Sequence, residues 1–290
     1  LVSYSGYTAT LRSIVSNEAN RKFSTIVEAN GKYYQIKFCE VGHRHNINEF
    51  IAHYFCSLIG APILDGAFLK LSDDQLKILN DRVGSISSFN KIDTTISKKN
   101  FFFGVEWKKD IYDLKKHEKL LPTINKSENK KEFYSIFPID QMLKNYDRHL
   151  GNHLFIKNGK KTRYYIIDFD RIFGYTSWAR MHALMNNFDC MRLPIPPGQF
   201  DELEFLHSIV TRETFEYAFA FAFAISSTVT YDAIDDMCNI ILEIYDVSKE
   251  EVDTIRLWFV QRMKDFQKIC LDNTECFPNV KQKRLTYVHR

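Results

Sequence analysis

Residues 145–170 limit the choice of fold more than any other stretch of this chain. The polar loop NYDRHLGN at 145–152 runs into an apolar piece at 153–156, a Lys/Asn/Gly turn at 157–161, a second apolar piece at 164–167, and then Asp168, Phe169 and Asp170. Two strand-like pieces around such a turn read as a β-hairpin. An antiparallel hairpin returns the chain to where it set out, so Asp168 is expected beside the loop that holds Asp147 and Asn152.

Spacing alone does not single out this loop. An Asp followed five residues later by an Asn is expected about once by chance in such a chain, and Asp140 with Asn145 has the same spacing. Context separates the two pairs. Asp140 sits in the helical pattern of 132–144, whereas Asp147 lies in a polar loop with Gly151 and precedes the hairpin. Taken singly, Asp147 also reads as a loop or cap carboxylate and Asp168 as a turn-former after a strand. As a set with Asn152 they match what phosphoryl transfer needs: a carboxylate for the attacking hydroxyl and oxygen ligands for a metal on the phosphates.

Phosphoryl transfer also needs a cation on the phosphates, and the first third of the chain offers one. Segments 8–15, 23–28 and 33–38 are rich in β-branched and aromatic residues, and Asn30-Gly31 joins the last two as a hairpin turn. Lys37 interrupts the apolar run of the third segment, and lysine is seldom buried without a partner. A helix follows, capped by Asn46 and stopped by Gly60 and Pro62, with Phe50, Ile51, Tyr54, Phe55, Leu58 and Ile59 at helical spacing. Glu49 on that helix can pair with Lys37, although it also stands where a capping-box partner of Asn46 would be. Further strands are expected at 63–71 and 101–105, separated by the polar stretch 81–100. Val105 and Trp107 lie where the sheet would leave for the second half of the chain, the place for a hinge that holds adenine through its backbone. Gly6 and Thr8, ahead of the first expected strand, are the best stand-in for a phosphate-covering loop, since no G-x-G-x-x-G exists; a lone glycine in a short turn is the other reading.

Residues 200–270 carry mainly helical patterns, with Ser248 as a cap ahead of Glu250 and Glu251. Phe219, Phe221 and Phe223 alternate as in a strand, but the alanines between them and the helical flanks favour a buried helix with these rings in the core. The formal charge of +3 gives no electrostatic case for direct nucleic-acid binding, and the basic 281–284 reads as a solvated end. No apolar run approaches the roughly 20 residues that cross a bilayer. The opening Leu1-Val2-Ser3 has no signal-peptide design, so a cytoplasmic location is expected. The six cysteines show no C-x-x-C pair, as expected of reduced core thiols. Cys39, His43 and His45 are close in sequence, but no second ligand pair at zinc spacing accompanies them.

With these residues assembled, the chain resembles the HipA-like kinases, in particular a compact bacterial branch in which a small lobe runs directly into the catalytic lobe. The resemblance rests on GKYYQIKF at 31–38, NEFIA at 48–52 with LIGAP at 58–62, NYDRHLGN at 145–152, and IDF at 167–169. The last two are also similar to phosphoinositide kinases, whereas eukaryotic protein kinases order the loop His-Arg-Asp. The resemblance implies an α+β, bilobal protein-kinase-like fold. Its antiparallel-sheet lobe would span 1–107 with a hinge near 104–107, and a mostly helical lobe would span 108–290. It implies ATP and Mg2+ as cofactors, with Asp147 as base, Asn152 and Asp168 as metal ligands, and Lys37 on the ATP phosphates.

Transfer to a serine or threonine of a protein substrate is the leading expectation. Such kinases often act as toxins, which makes an antitoxin-like regulatory protein the partner to seek. A phosphoinositide or small-molecule kinase is an alternative, for which only Arg171, Arg180 and Arg192 follow Asp170 to meet a headgroup. A pseudokinase binding module is another, though it would usually have lost Asp147, Asn152 or Asp168. Asp170 departs from the Gly that follows Asp-Phe in lipid and protein kinases. Thr176, Ser177 and Trp178 correspond to an activation or substrate-binding segment by analogy.

Overall fold

The computed structural model describes residues 6–17, 22–38, 43–86, 93–109, 111–112, 117–145, 147–175, 178, 181, 205–272, 277 and 279–280. Cys39, Ser5, Thr176, Ser177, Arg180, Arg192 and the basic 281–284 lie outside them.

Strands β1 (Gly6–Thr8), β2 (Thr10–Asn17), β3 (Lys22–Ala29), β4 (Lys32–Phe38), β5 (Gly66–Lys70) and β6 (Phe101–Glu106) form one sheet in the order β1-β5-β6-β4-β3-β2. The β3–β4 hairpin turns at Asn30 and Gly31, both at positive φ (49° and 73°), as an Asn-Gly turn demands. Two expectations need correction. The first expected strand is two pieces broken at Ala9, and Gly6 and Thr8 are not in a turn: they form β1, which pairs parallel with β5 at one end of the sheet. The segment 63–71 contributes only Gly66–Lys70 as strand.

Helix α1 (His45–Leu58) packs Ile47, Phe50, Ile51 and Phe55 into the core beneath the sheet. A second helix, α2 (Asp73–Ile86), extends into the stretch read as polar. Ser72 and Gln75 cap it reciprocally, Gln75 N–H donating to Ser72 Oγ at 3.2 Å and Ser72 N–H to Gln75 Oε1 at 2.8 Å. Among its side chains Leu76 and Leu79 are buried while Ile78 is exposed.

The other half is helical around a small sheet. Strands β7 (Ile111–Tyr112), β8 (His153–Asn158) and β9 (Lys161–Ile166) pair antiparallel in that order. Around them lie α3 (Leu120–Lys126), α4 (Ile136–Leu143), α5 (Arg212–Thr228), α6 (Tyr231–Ile244) and α7 (Lys249–Asp272). The expected helix at 132–144 begins as a 3-10 turn (Glu132–Ser135), and Lys144 closes it at φ 49°. Ser248 caps α7, its Oγ accepting from Glu251 N–H at 3.1 Å. On α5 the buried stripe is Phe215, Ala218, Phe219, Ala222 and Ile225, at helical spacing. Phe223 falls off that stripe and is 57% exposed, so the phenylalanine alternation is not wholly core. Among the described residues no helix is long and apolar enough to cross a membrane.

The two lobes of this α+β fold touch through backbone as well as side chains. Ile166 N–H donates to Pro62 O at 2.7 Å, and Asp246 N–H to Ile96 O at 2.7 Å, on separate parts of the interface.

A candidate active site between the lobes

Alternation along β4 buries Tyr34, Ile36 and Phe38 on one face and leaves Gln35 and Lys37 on the other, toward the second lobe. The Lys37 ammonium sits between two carboxylates, 2.5 Å from Glu49 Oε1 and 2.7 Å from Asp168 Oδ1, and only 22% of its side chain is exposed. Burial pushes the lysine toward neutrality, but Asp168, Glu49 and Asp170 outweigh it and raise its pKa above the ordinary lysine value. The same Glu49 oxygen accepts Phe169 N–H at 2.9 Å, so a helical residue ties a strand of the first lobe to the strand end of the second.

Asn46 does not cap α1, which corrects the expectation. It lies inside the helix, whose N-cap is Arg44 without a side-chain cap bond. Its Nδ2 instead donates to Lys37 O (3.1 Å) and Phe103 O (2.9 Å), while its Oδ1 accepts Phe103 N–H (2.9 Å) and Tyr245 O–H (2.8 Å). Glu49 is thereby not held as its capping partner.

The loop is built on Arg148. Its guanidinium is buried and grips both oxygens of Asp140 on α4 (2.8 Å each), then donates to Asn152 O (3.1 Å) and Ile167 O (2.9 Å). One side chain therefore sets the distance between the loop and the strand end that carries Asp168. Asn145 donates to Asp140 Oδ1 and accepts Asp147 N–H, each at 3.2 Å. Asn152 donates through Nδ2 to Asp147 O, a bond that does not use its amide oxygen. Arg171 Nη1 stands 3.2 Å from Asp147 Oδ1. Asp168 itself has φ 65°, a left-handed conformation that costs a non-glycine residue on the order of 1–2 kcal/mol and marks it as held there by its surroundings.

A cleft of about 200 Å³ is lined by Lys37, Glu49 and Asp168 together with the apolar Phe103, Val105, Trp107, Leu154 and Ile166 and the polar His53, Glu106 and Lys108; Asp147 and Asn152 are not among its lining residues. Val105 and Trp107 thus share the cleft with Lys37, but two amides of the expected hinge are already used. Glu106 N–H donates to Asp65 O at 2.7 Å, and Trp107 N–H to Tyr33 O at 2.8 Å. Gly6 and Thr8 are not among the cleft-lining residues; β1 is separated from β4 by β5 and β6. Among the described residues no cluster of three or more His, Cys, Asp or Glu side chains forms a metal cage.

Sequence reasoning gave no site role to Arg148 or Asn48, and it read Asn46 only as a cap and Arg171 only as a possible headgroup contact. Asn48 donates to Asp170 O at 2.9 Å and accepts Trp178 Nε1–H at 3.1 Å. Arg148 had a signal, since an arginine inside a loop flanked by apolar elements has to find carboxylates and carbonyls when buried.

The α+β architecture is that of a bilobal kinase-like fold. Among solved structures the chain is similar to the Helicobacter pylori proinflammatory kinase CtkA, with a TM-score of 0.58 over 93% of this chain and 98% of that one, at 12% identity. It is also similar to HipA of Shewanella oneidensis MR-1, solved with HipB and its operator DNA, with a TM-score of 0.43 over 85% of this chain and 60% of that one, at 11% identity. No family model and no curated protein matches the sequence.

Proposed function

We propose that the chain is an ATP- and magnesium-dependent phosphotransferase, acting as a serine/threonine protein kinase. The observation that carries this reading is the Lys37–Glu49–Asp168 constellation, drawn from parts of the chain as far as 131 residues apart and set at one end of an apolar-walled cleft. A base fits the apolar walls, and the lysine end suits phosphates. Lys37, kept charged by its carboxylates, holds the α/β-phosphates. Asp147 orients the acceptor hydroxyl and takes its proton. Asn152 and Asp168 hold magnesium, which neutralises charge on the phosphates when bound. With the amides of Glu106 and Trp107 engaged, adenine is read by hinge carbonyls and by amides beyond Trp107. The lobe boundary is taken at 104–107, where β6 ends against the cleft.

The test is γ-labelled ATP with magnesium, the purified chain, a cell lysate and lipid vesicles. Label in protein that disappears in Asp147→Ala and Asp168→Ala supports the reading. Label in lipid alone moves the acceptor to a headgroup, and no transfer by the wild type rejects catalysis.

A further inference from the structure

Outside the cleft, the buried polar group whose bonds reach furthest is Asn46, and its hydrogen bonds leave no capacity over. An amide offers two N–H donors and two acceptor lone pairs, and Asn46 spends them on Lys37 O, Phe103 O, Phe103 N–H and Tyr245 O–H. Three of these bonds hold the backbone of the two strands that wall the cleft. The fourth reaches the second lobe, 199 residues along the chain. Tyr245 is fully buried at the end of α6, and its ring packs edge-on against Phe68 of β5 at 6.2 Å. Asn46 and Glu49 lie one turn apart on α1, so that helix holds Lys37 twice, by its carbonyl and by its ammonium.

We infer that Tyr245 is a positioning residue: through Asn46 it locks α1 and the Lys37 strand to the helical lobe, so that the lysine end of the cleft stands assembled before any ligand arrives. Other contacts run the same way. Arg44, at the start of α1, pairs with Glu251 of α7 at 3.1 Å, Asn48 bonds Asp170 and Trp178, and Phe55 packs on Phe259 at 5.7 Å. Tyr245 makes the one link among these that continues to the carbonyl of Lys37. A kinase that positions its helix with an inducible switch would leave this face adjustable. Here it is buried and saturated, and a loosened relay is expected to show first at Lys37.

The inference about ATP rests on the reading of the cleft as a nucleotide site, so the experiment has two arms. In the ligand-free protein, Tyr245→Phe removes one hydroxyl and keeps the ring; amides of β4 and of the first turns of α1 should exchange hydrogen faster than in wild type, while those in the middle of α7 do not. In the second arm, Mg-ATP affinity measured by calorimetry should weaken about three- to ten-fold in Tyr245→Phe, the scale of one buried hydrogen bond. Ile241→Val, a core change on α6 matched in melting temperature, should leave affinity unchanged. In a Lys37→Met background the Tyr245→Phe effect should vanish, because the relay acts through that lysine. Unchanged exchange in β4 and α1, or equal loss of affinity with and without Lys37, overturns the inference. Normal wild-type folding with no Mg-ATP binding overturns the nucleotide reading instead, and the exchange arm still decides the relay.

Discussion

Two Asp–Asn pairs with identical spacing lie seven positions apart in this chain, and the fold uses them in opposite ways. Asp140 is 3% exposed, gives both oxygens to Arg148 and accepts from its own partner Asn145, so its carboxylate is spent on holding the loop. Asp147 reaches Arg171 with its carboxylate, while its backbone N–H donates to Asn145 Oδ1 and its carbonyl accepts from Asn152. The same spacing thus makes a foundation in one place and, in the function proposed above, the base in the other. What distinguishes them is the element beneath: Asp140 is fixed on a helix against a buried guanidinium, while Asp147 follows the left-handed Lys144 and the turn that Asn145 closes.

Substitutions can break this division. The largest effect is expected from Asp147→Ala, which should lower label transfer by about 10³-fold or more, as loss of a positioned base does, while the free energy of unfolding in urea stays within about 1 kcal/mol of wild type. A comparable loss of stability in this variant would make Asp147 a second foundation. Asp140→Ala should do the reverse, costing about 3–5 kcal/mol in equilibrium unfolding because it strands the buried Arg148 charge. If Asp140→Ala unfolds like wild type, the guanidinium is not the keystone described.

A pH scan isolates a third contribution that belongs to neither pair. Burial lowers the imidazoles of His53 and His207 to about 4, His53 against weaker opposition from its bond to Leu64 O. Their folded pKa lies below the unfolded value, so the unfolded chain gains protons first, and stability falls as pH drops from about 6.5 toward 4. The loss should be about 2–3 kcal/mol per histidine; burial lowers the His153 imidazole as well, so His207→Phe, which suits a site between Phe137 and Phe277, should remove roughly a third of the total. An unchanged slope would assign the acid limb to carboxylates. The smallest effect is expected from Asn145→Ala, about 1–2 kcal/mol for two long hydrogen bonds. Because Asn145 touches both pairs, it should also reduce transfer measurably, unlike a substitution confined to one.

The difference between the pairs also explains how much the sequence could reveal. That the 145–152 loop and the strand end at 167–168 lie side by side was legible because a hairpin forces its two ends together, and Asn30-Gly31 because its turn admits few residues. Lys37 with Glu49 was legible as a charge in an apolar strand that required a partner. The partners of Asn46 were not, since three of its four bonds go to backbone carbonyls and an amide that carry no residue signature, and for Arg148 only the pairing with Asp140 has one. Asn46 looked like a cap because Asn followed by Glu at the third position is a capping pattern, and only the neighbouring strands decide otherwise. β1 was missed because three residues pair parallel with a strand some sixty positions on. Helix α2 did carry a sequence mark in Ser72 and Gln75, but only two buried leucines support it, too few for a clear period.

The central claim is that the Lys37 end of the cleft is a magnesium-nucleotide site, and calorimetry of the intact chain with ATP tests it most directly. The account predicts binding that requires Mg2+, weakens about ten-fold or more in Lys37→Met, and weakens again in Asp168→Ala. Binding that is indifferent to magnesium and to both substitutions, or no binding by a folded wild type, would contradict it.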